Sequence, residues 1–190
     1  SGNVLAGNID EFDGAYMMTR LVDYIVEHLS QQIKAGCDTV QVFDSWASDL
    51  GEEHIIPYCY EPTAQIVERL RALHPDVGII VFPRLIGEEI NNFSKYVNAD
   101  CISLSDDMKT DWILKRMGHQ CLQGGIPPQV LLSEHREDIL RGTVPMIRQM
   151  KDCAYVVNLA HGINKETPVE NVRFFIEIVK RNRENITRET

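Results

Sequence analysis

Residues 21–43 read LVDYIVEHLSQQIKAGCDTVQVF. Leu21, Val22, Ile25, Val26, Leu29 and Ile33 recur at spacings of three and four, which draws one apolar stripe along a helix from about Glu11 to Ala35. Gly36 stands just past the last periodic residue, where helices most readily end. Thr39 to Phe43 then changes character: it is short and rich in β-branched side chains, and reads as a strand. Helix, glycine, strand is the unit that decides the fold class, because the rest of the chain repeats it.

Working outward, Glu61 to Leu73 predicts a helix, and His74-Pro75 leads into a strand from Val77 to Phe82. Gly87 to Val97 predicts a helix before the strand Cys101 to Leu104, and Asp111 to Met117 another before Gln120 to Gln123. A longer helix is expected from Ser133 to Met150, opening on Ser133 as a cap, and then a strand from Ala154 to Leu159. Thr167 is placed to cap a last helix, with Pro168 at its first position and Glu170 in its first turn. Five strands separated by helices imply a parallel α/β sheet covered on both faces. Two architectures fit: a five-stranded doubly wound sheet, or five consecutive units of a (β/α)8 TIM barrel. A complete barrel takes about 250 residues, with a floor near ~200, so a 190-residue chain reads as a partial one. Periodicity does not choose between them.

Hydrophobic residues make up 44% and charged residues 25%, an ordinary globular balance. The longest apolar run, Val77 to Phe82 with a glycine inside, is far short of the ~20 residues of a membrane helix. Neither a span nor a secretory signal is expected. With 19 Lys and Arg against 28 Asp and Glu, the net charge is −9, which disfavours nucleic acid but leaves room for a small anion held by a few local cations. Cys37, Cys59, Cys101, Cys121 and Cys153 are scattered, odd in number and never in Cys-x-x-Cys spacing, as reduced thiols of a cytoplasmic protein would be. The chain opens Ser1-Gly2 rather than Met, so residues 1–10 read as an irregular lead-in or cloning remnant, with natural sequence expected upstream.

In either architecture chemistry gathers at the carboxyl ends of the strands. There stand Phe43-Asp44-Ser45-Trp46-Ala47, Phe82-Pro83-Arg84, Ser105-Asp106-Asp107, Gln123-Gly124-Gly125-Ile126-Pro127-Pro128 and Asn158-Leu159-Ala160-His161-Gly162. Asp44-Ser45 offers a hydroxyl beside a carboxylate, or a helix cap. Arg84 suits a carboxylate fork, or is a surface cation. His161 can donate to an anion or move a proton, or be structural. The pair His119 and Cys121 begins a strand, at the opposite rim, with no third ligand near, so no metal is expected. Gln123-Gly124-Gly125 lacks the dinucleotide and phosphate-loop patterns, so no nucleotide is expected either. A nucleophilic Ser45–His161 pair would lack the usual Gly-x-Ser-x-Gly elbow.

These same residues resemble a known family. Gln41-Val42-Phe43-Asp44-Ser45-Trp46-Ala47 is similar to the serine motif of the uroporphyrinogen decarboxylase family, and Ala35-Gly36-Cys37-Asp38 to its lead-in. Val81-Phe82-Pro83-Arg84 with Gly87, and Gln123-Gly124, resemble its following strand ends. Asn158-Leu159-Ala160-His161-Gly162-Ile163 through Thr167-Pro168-Val169-Glu170-Asn171-Val172 is very close to its C-terminal motif. The likeness runs over roughly residues 15–185 and implies that residues 1–190 are the C-terminal portion of a single barrel domain, strands four to eight. It implies a cytoplasmic homodimer that needs no cofactor and removes the four acetate carboxyl groups of uroporphyrinogen in haem synthesis. Ser45 and His161 match substrate-contacting, catalytic positions, and Phe43 would pack on the macrocycle. Arg84 as a further carboxylate clamp follows from charge and position. The family's pyrrole-facing aspartate, its Arg-rich motif and a site tyrosine have no match here, so the chain alone is expected to be inactive. The alternatives are a zinc-dependent methyltransferase of the related barrel superfamily and a non-catalytic half-barrel interaction module.

Overall fold

The computed structural model describes residues 11–189, and the chain divides into two compact units, Ser1–Ile102 and Ser103–Thr190. In the first unit, helix α1 (Glu11–Lys34) precedes strand β1 (Thr39–Asp44), a short α2 (Glu52–Ile55), α3 (Glu61–Leu73), β2 (Gly78–Pro83), α4 (Ile90–Val97) and the start of β3 (Cys101–Leu104). Val22, Val26 and Leu29 of α1 are buried, as are Ile66, Val67 and Leu70 of α3, and the two helices pack together through these stripes. Gly36 ends the α1 turn at φ +107°, a conformation that costs any side chain with a Cβ. β1 pairs with β2 in parallel from Thr39↔Gly78 to Asp44↔Pro83, and β2 with β3 at Ile80↔Cys101 and Val81↔Ile102. Asp100 fixes the entry to β3: its carboxylate accepts the Ile79 N–H at 2.8 Å and the Arg71 guanidinium at 3.1 Å.

The second unit holds α5 (Thr110–Met117), β4 (Cys121–Gly124), α6 (Arg136–Gln149), β5 (Tyr155–Val156) and α7 (Val169–Glu189). Its core gathers Ile126, Leu131, Ile139, Ile147, Phe175 and Ile178, where α6 and α7 meet. Asn171 of α7 donates to the carbonyls of Leu131 and Ser133, both at 2.9 Å, and so ties the helix to the segment before α6. β4 and β5 are parallel, pairing Leu122↔Tyr155 and Gln123↔Val156.

The strands form one five-stranded parallel sheet in the order β1-β2-β3-β4-β5. That order removes the doubly wound alternative, which needs a reversal of strand order at a switch point. Strands laid down one beside the next, each followed by a helix, make a partial TIM-barrel-like unit.

Several boundaries differ from the sequence reading, each for a local reason. The regular ladder of β5 covers only Tyr155–Val156, and a single bridge, Ile126↔Leu159, follows. There the Asn158 side chain accepts its neighbour's N–H at 2.8 Å and takes that donor away from a ladder. Helix α6 starts at Arg136 rather than Ser133, because the Ser133 hydroxyl makes a turn, accepting from His135 N–H at 3.1 Å and donating to Asp138 at 2.8 Å. In α7 it is the Pro168 carbonyl that accepts the first helical bond, from Asn171 N–H at 3.0 Å, so Pro168 stands in the cap position. The hydroxyl of Thr167 is buried without a partner and caps nothing. Between β1 and α3, where the sequence periodicity assigns no element, the structure has a 3-10 turn (Ala47–Asp49), α2 and a π-helical turn (Ile56–Tyr60). All five cysteines are free thiols. No helix among the described residues is long and apolar enough to cross a membrane.

Candidate functional site

Strand β1 delivers its last residues in two directions. Val40 and Val42 are buried on one face, and Asp44 follows them on the same side of the pleat. Phe43 points to the other face, 63% exposed, with its ring edge-on to Phe82 at 6.2 Å. An aromatic ring this large left open at a strand end is a surface on which a flat ligand can stack. Asp44 then shapes the turn: its Oδ1 accepts the Trp46 N–H at 3.3 Å, two residues on. The capping role weighed for Asp44-Ser45 is not filled: Trp46 stands in the cap position of the 3-10 turn and no side chain caps it. Ser45 is exposed and makes no hydrogen bond to any other described residue, leaving its hydroxyl available.

The thiol of Cys59 lies against the Asp44 carboxylate and hydrogen-bonds to it. Burial raises the Asp44 carboxyl above its ordinary range, and the bonds from Cys59 and Trp46 oppose that shift only in part. Burial, with the Asp44 charge beside it, pushes the Cys59 thiol up as well, so it stays protonated. Between Asp44's unfolded and folded values the native chain therefore holds more protons, and this group's contribution makes stability fall as pH rises. Asp44→Asn keeps an oxygen for the Trp46 N–H and removes the charge. It is expected to raise the urea midpoint at pH 7, with the gain over the parent vanishing below about pH 4. An unchanged midpoint at pH 7 would contradict the assignment.

Strand β2 ends beside it. The Arg84 N–H donates to the Asp44 carbonyl at 3.0 Å, so Arg84 sits one residue past the last rung of the β1–β2 ladder. Among the described residues its guanidinium has no ion-pair partner. Leu85 follows at φ +58° and Gly87 at φ +57°. A leucine in the left-handed region costs about 1–2 kcal/mol and persists only where its surroundings enforce it.

Through Tyr60, a π-helical turn bonds to Glu89, four residues past Leu85. Pro57 and Pro62 lack the N–H groups that would bond to Glu53 and Tyr58, so the helix cannot run through at its usual pitch. Glu61 N–H reaches back to the Ile56 carbonyl instead, five residues away. This swings Cys59 onto Asp44 and puts Tyr60, 3% exposed, between Phe93 at 5.3 Å and Tyr96 at 5.6 Å. The Tyr60 hydroxyl donates to Glu89, with Oε2 at 3.0 Å and the carbonyl at 3.1 Å. Burial, and then the bond to Glu89, hold its phenol protonated far above neutrality. Reading of the sequence missed Cys59, Tyr60 and Glu89. The signal was present in the two prolines bracketing Tyr58-Cys59-Tyr60.

In the second unit, Gly124 and Gly125 both take φ +82° after β4. A Cβ on Gly124 would stand 3.0 Å from the Leu104 carbonyl and 3.2 Å from that of Leu159. The buried Gln123 side chain donates to Ser103 at 3.2 Å, and the Tyr155 hydroxyl donates to the Gly124 carbonyl. Past β5, the Ala160 N–H bonds the Ile126 carbonyl at 2.7 Å and sets up His161. His161 Nδ1 lies 2.8 Å from the Gly162 carbonyl. A carbonyl only accepts, so Nδ1 carries the proton and Nε2 is the nitrogen left to work, accepting when neutral and donating when charged. His119 is exposed and Cys121 begins β4, at the amino end of the strand. Among the described residues no three His, Cys, Asp or Glu side chains gather as a metal site.

The structure thus groups Phe43, Ser45 and Arg84 in the first unit, around the ends of β1 and β2, and places His161 after β5 in the second. Phe43 is the penultimate residue of β1, and Ser45, Arg84 and His161 follow the carboxyl ends of β1, β2 and β5. Compared with known proteins, residues 11–182 match the family model described as uroporphyrinogen decarboxylase (URO-D). A uroporphyrinogen decarboxylase of Cereibacter sphaeroides is 31% identical over 166 residues, 86% of this chain and 48% of that protein. One of Orientia tsutsugamushi is 34% identical over 160 residues, 84% and 47% of the respective lengths. One of Paracoccus denitrificans is 31% identical over 167 residues, 87% and 48%. The chain spans about half the length of the curated relatives it matches.

Proposed function

The chain belongs to the uroporphyrinogen decarboxylase family, and from that footing we propose that it forms part of the substrate-binding wall of a uroporphyrinogen decarboxylase. The observation that carries this reading is placement: Phe43, the penultimate residue of β1, and Ser45, Arg84 and His161, beyond the carboxyl ends of β1, β2 and β5, are the residues that the family likeness and local charge single out. The exposed Phe43 ring offers a face to the macrocycle. Arg84 and His161 offer donors to its carboxylates, and Ser45 a hydroxyl.

The chemistry needs no resident cofactor in this reading, because a pyrrole can serve as its own electron sink. A proton adds to the ring carbon next to the one that bears the acetate arm, which leaves a cation conjugated to that arm. The bond to the carboxylate then breaks, carbon dioxide leaves, and the electron pair neutralises the ring cation. A second proton on the exocyclic carbon completes a methyl group, and loss of the first proton from the ring carbon restores the pyrrole. A protein contributes by holding the remaining carboxylates, stabilising the cation and supplying protons. His161, its tautomer set by the Gly162 carbonyl, suits a carboxylate or proton partner. Catalytic roles for Ser45 and His161, a cytoplasmic homodimer and a place in haem synthesis belong to the same proposal. So does inactivity of this chain by itself, since nothing in it matches the family's pyrrole-facing aspartate.

The test is binding and turnover by the purified chain, with uroporphyrinogen kept reduced. Binding without decarboxylation is expected. Loss of one charge-assisted hydrogen bond is worth about 1.5–3 kcal/mol, so Arg84→Gln and His161→Ala should each weaken binding about 10- to 100-fold. Failure of the unchanged chain to bind would remove the reading. Turnover at the rate of a full-length relative would remove the claim of inactivity.

A further inference from the structure

The π-helical turn carries two consecutive side chains to two places: the end of β1 and the 3-10 turn Gly87–Glu89 that leads into α4. Cys59 meets Asp44, directly before Ser45, and Tyr60 meets Glu89, at the far end of the short loop that begins with Arg84. Neighbouring residues on a helix point roughly 100° apart, which is what lets one turn serve both. The second contact is the firmer. Tyr60 is buried, its ring is boxed by Phe93 and Tyr96, and its hydroxyl has both a carbonyl and a carboxylate oxygen of Glu89 within hydrogen-bond distance. Asn92 adds a second donor to the same carboxylate at 3.2 Å. Between Arg84 and this anchor lie the left-handed Leu85 and Gly87. Gly87 takes this region at no cost, but a loop with a left-handed leucine has lower-energy conformations available, and we take the anchor at Glu89 to favour this one.

We infer that Tyr60 is a positioning residue: through Glu89 it holds the loop of residues 84–89 so that the Arg84 guanidinium is pre-set for a carboxylate of the porphyrinogen. The inference rests on the reading of Arg84 given above. Tyr60 touches no substrate. It acts by sparing the loop the cost of ordering when the anion arrives.

The experiment uses the full 190-residue chain and uroporphyrin, the stable oxidised polycarboxylate, titrated by its fluorescence. Tyr60→Phe keeps the ring between Phe93 and Tyr96 and removes only the hydroxyl. It is expected to weaken uroporphyrin binding about 5- to 10-fold and to speed amide exchange across residues 85–89 about tenfold. In an Arg84→Gln background the same change should add nothing, because the cation it positions is gone. A hydroxyl that merely supports the fold would shift the melting temperature and leave affinity alone. Full affinity in Tyr60→Phe, or losses that simply add to those of Arg84→Gln, would therefore overturn the inference while leaving the functional reading standing. If the unchanged chain does not bind uroporphyrin, the functional reading fails and the proposed role for Arg84 fails with it. Amide exchange then decides the brace separately: unchanged exchange in Tyr60→Phe overturns that too.

Discussion

Phe93→Ala is expected to destabilise the first unit by about 3–5 kcal/mol, the usual range for removing a fully buried aromatic ring. Phe93 is 1% exposed and meets Tyr60 edge to face, at 5.3 Å and 84° between ring planes. The ring pair alone is worth about 0.5–1.5 kcal/mol beyond its buried area. Total stabilities of domains run to only about 5–15 kcal/mol, so the loss is a large share of the whole. In urea it should lower the unfolding midpoint by on the order of 1–2 M. Phe93→Leu fills most of the vacated volume and should lose less than half as much. A midpoint for Phe93→Ala within about 0.3 M of the parent would mean that the ring is not the keystone of the α4 contact. The site feels the same change, because the cavity opens against the ring of Tyr60, whose hydroxyl anchors Glu89.

How far the sequence carries is instructive at particular residues. The alternation of helices and strands is legible because its cause is local: Val22, Val26 and Leu29 fall on one helical face whatever the rest of the chain does. The ends of β1 to β4 were legible to within a residue for the same reason, whereas the end of β5 was not. Strand order was not, since Thr39↔Gly78 is a pairing across a long connection that no local pattern encodes. Leu85 gave no warning of its left-handed backbone, because leucine is among the residues least suited to it; the conformation is imposed by neighbours. The π-helical turn lies in between. Pro57 and Pro62 announce a broken helix, but only coordinates show that the break delivers Cys59 to Asp44 at the end of β1 and Tyr60 to Glu89 just before α4. His161 illustrates the limit for chemistry: its identity was read at once, whereas the nitrogen left free depends on where the Gly162 carbonyl turns.

The second large effect is expected at Gly124, where fold and site meet in the other unit. Gly124→Ala must hold φ +82°, at a cost of about 1–2 kcal/mol for any residue with a Cβ. The new carbon would also lie 3.0 Å from the Leu104 carbonyl oxygen and 3.2 Å from that of Leu159. Both neighbours are backbone, and neither can turn aside as a flexible side chain would. The glycine itself is fixed from two sides, since Tyr155 donates to its carbonyl and the next N–H, that of Gly125, bonds to Leu104 at 3.0 Å. The sum should reach about 2–4 kcal/mol, in the class of strained-backbone substitutions. Gly162→Ala supplies the control: its Cβ would meet nothing within 4 Å, so a change within about 0.5 kcal/mol is expected. Leu159 lies two residues before His161, so yielding at its carbonyl should also displace the imidazole. Gly124→Ala is therefore expected to lose uroporphyrin affinity under conditions where it is still folded, by circular dichroism at low temperature. If it proves as stable as Gly162→Ala, the close contact to the two carbonyls is not a constraint on this fold. If it is destabilised yet binds with full affinity, the end of β5 and His161 are not coupled to the β4 turn.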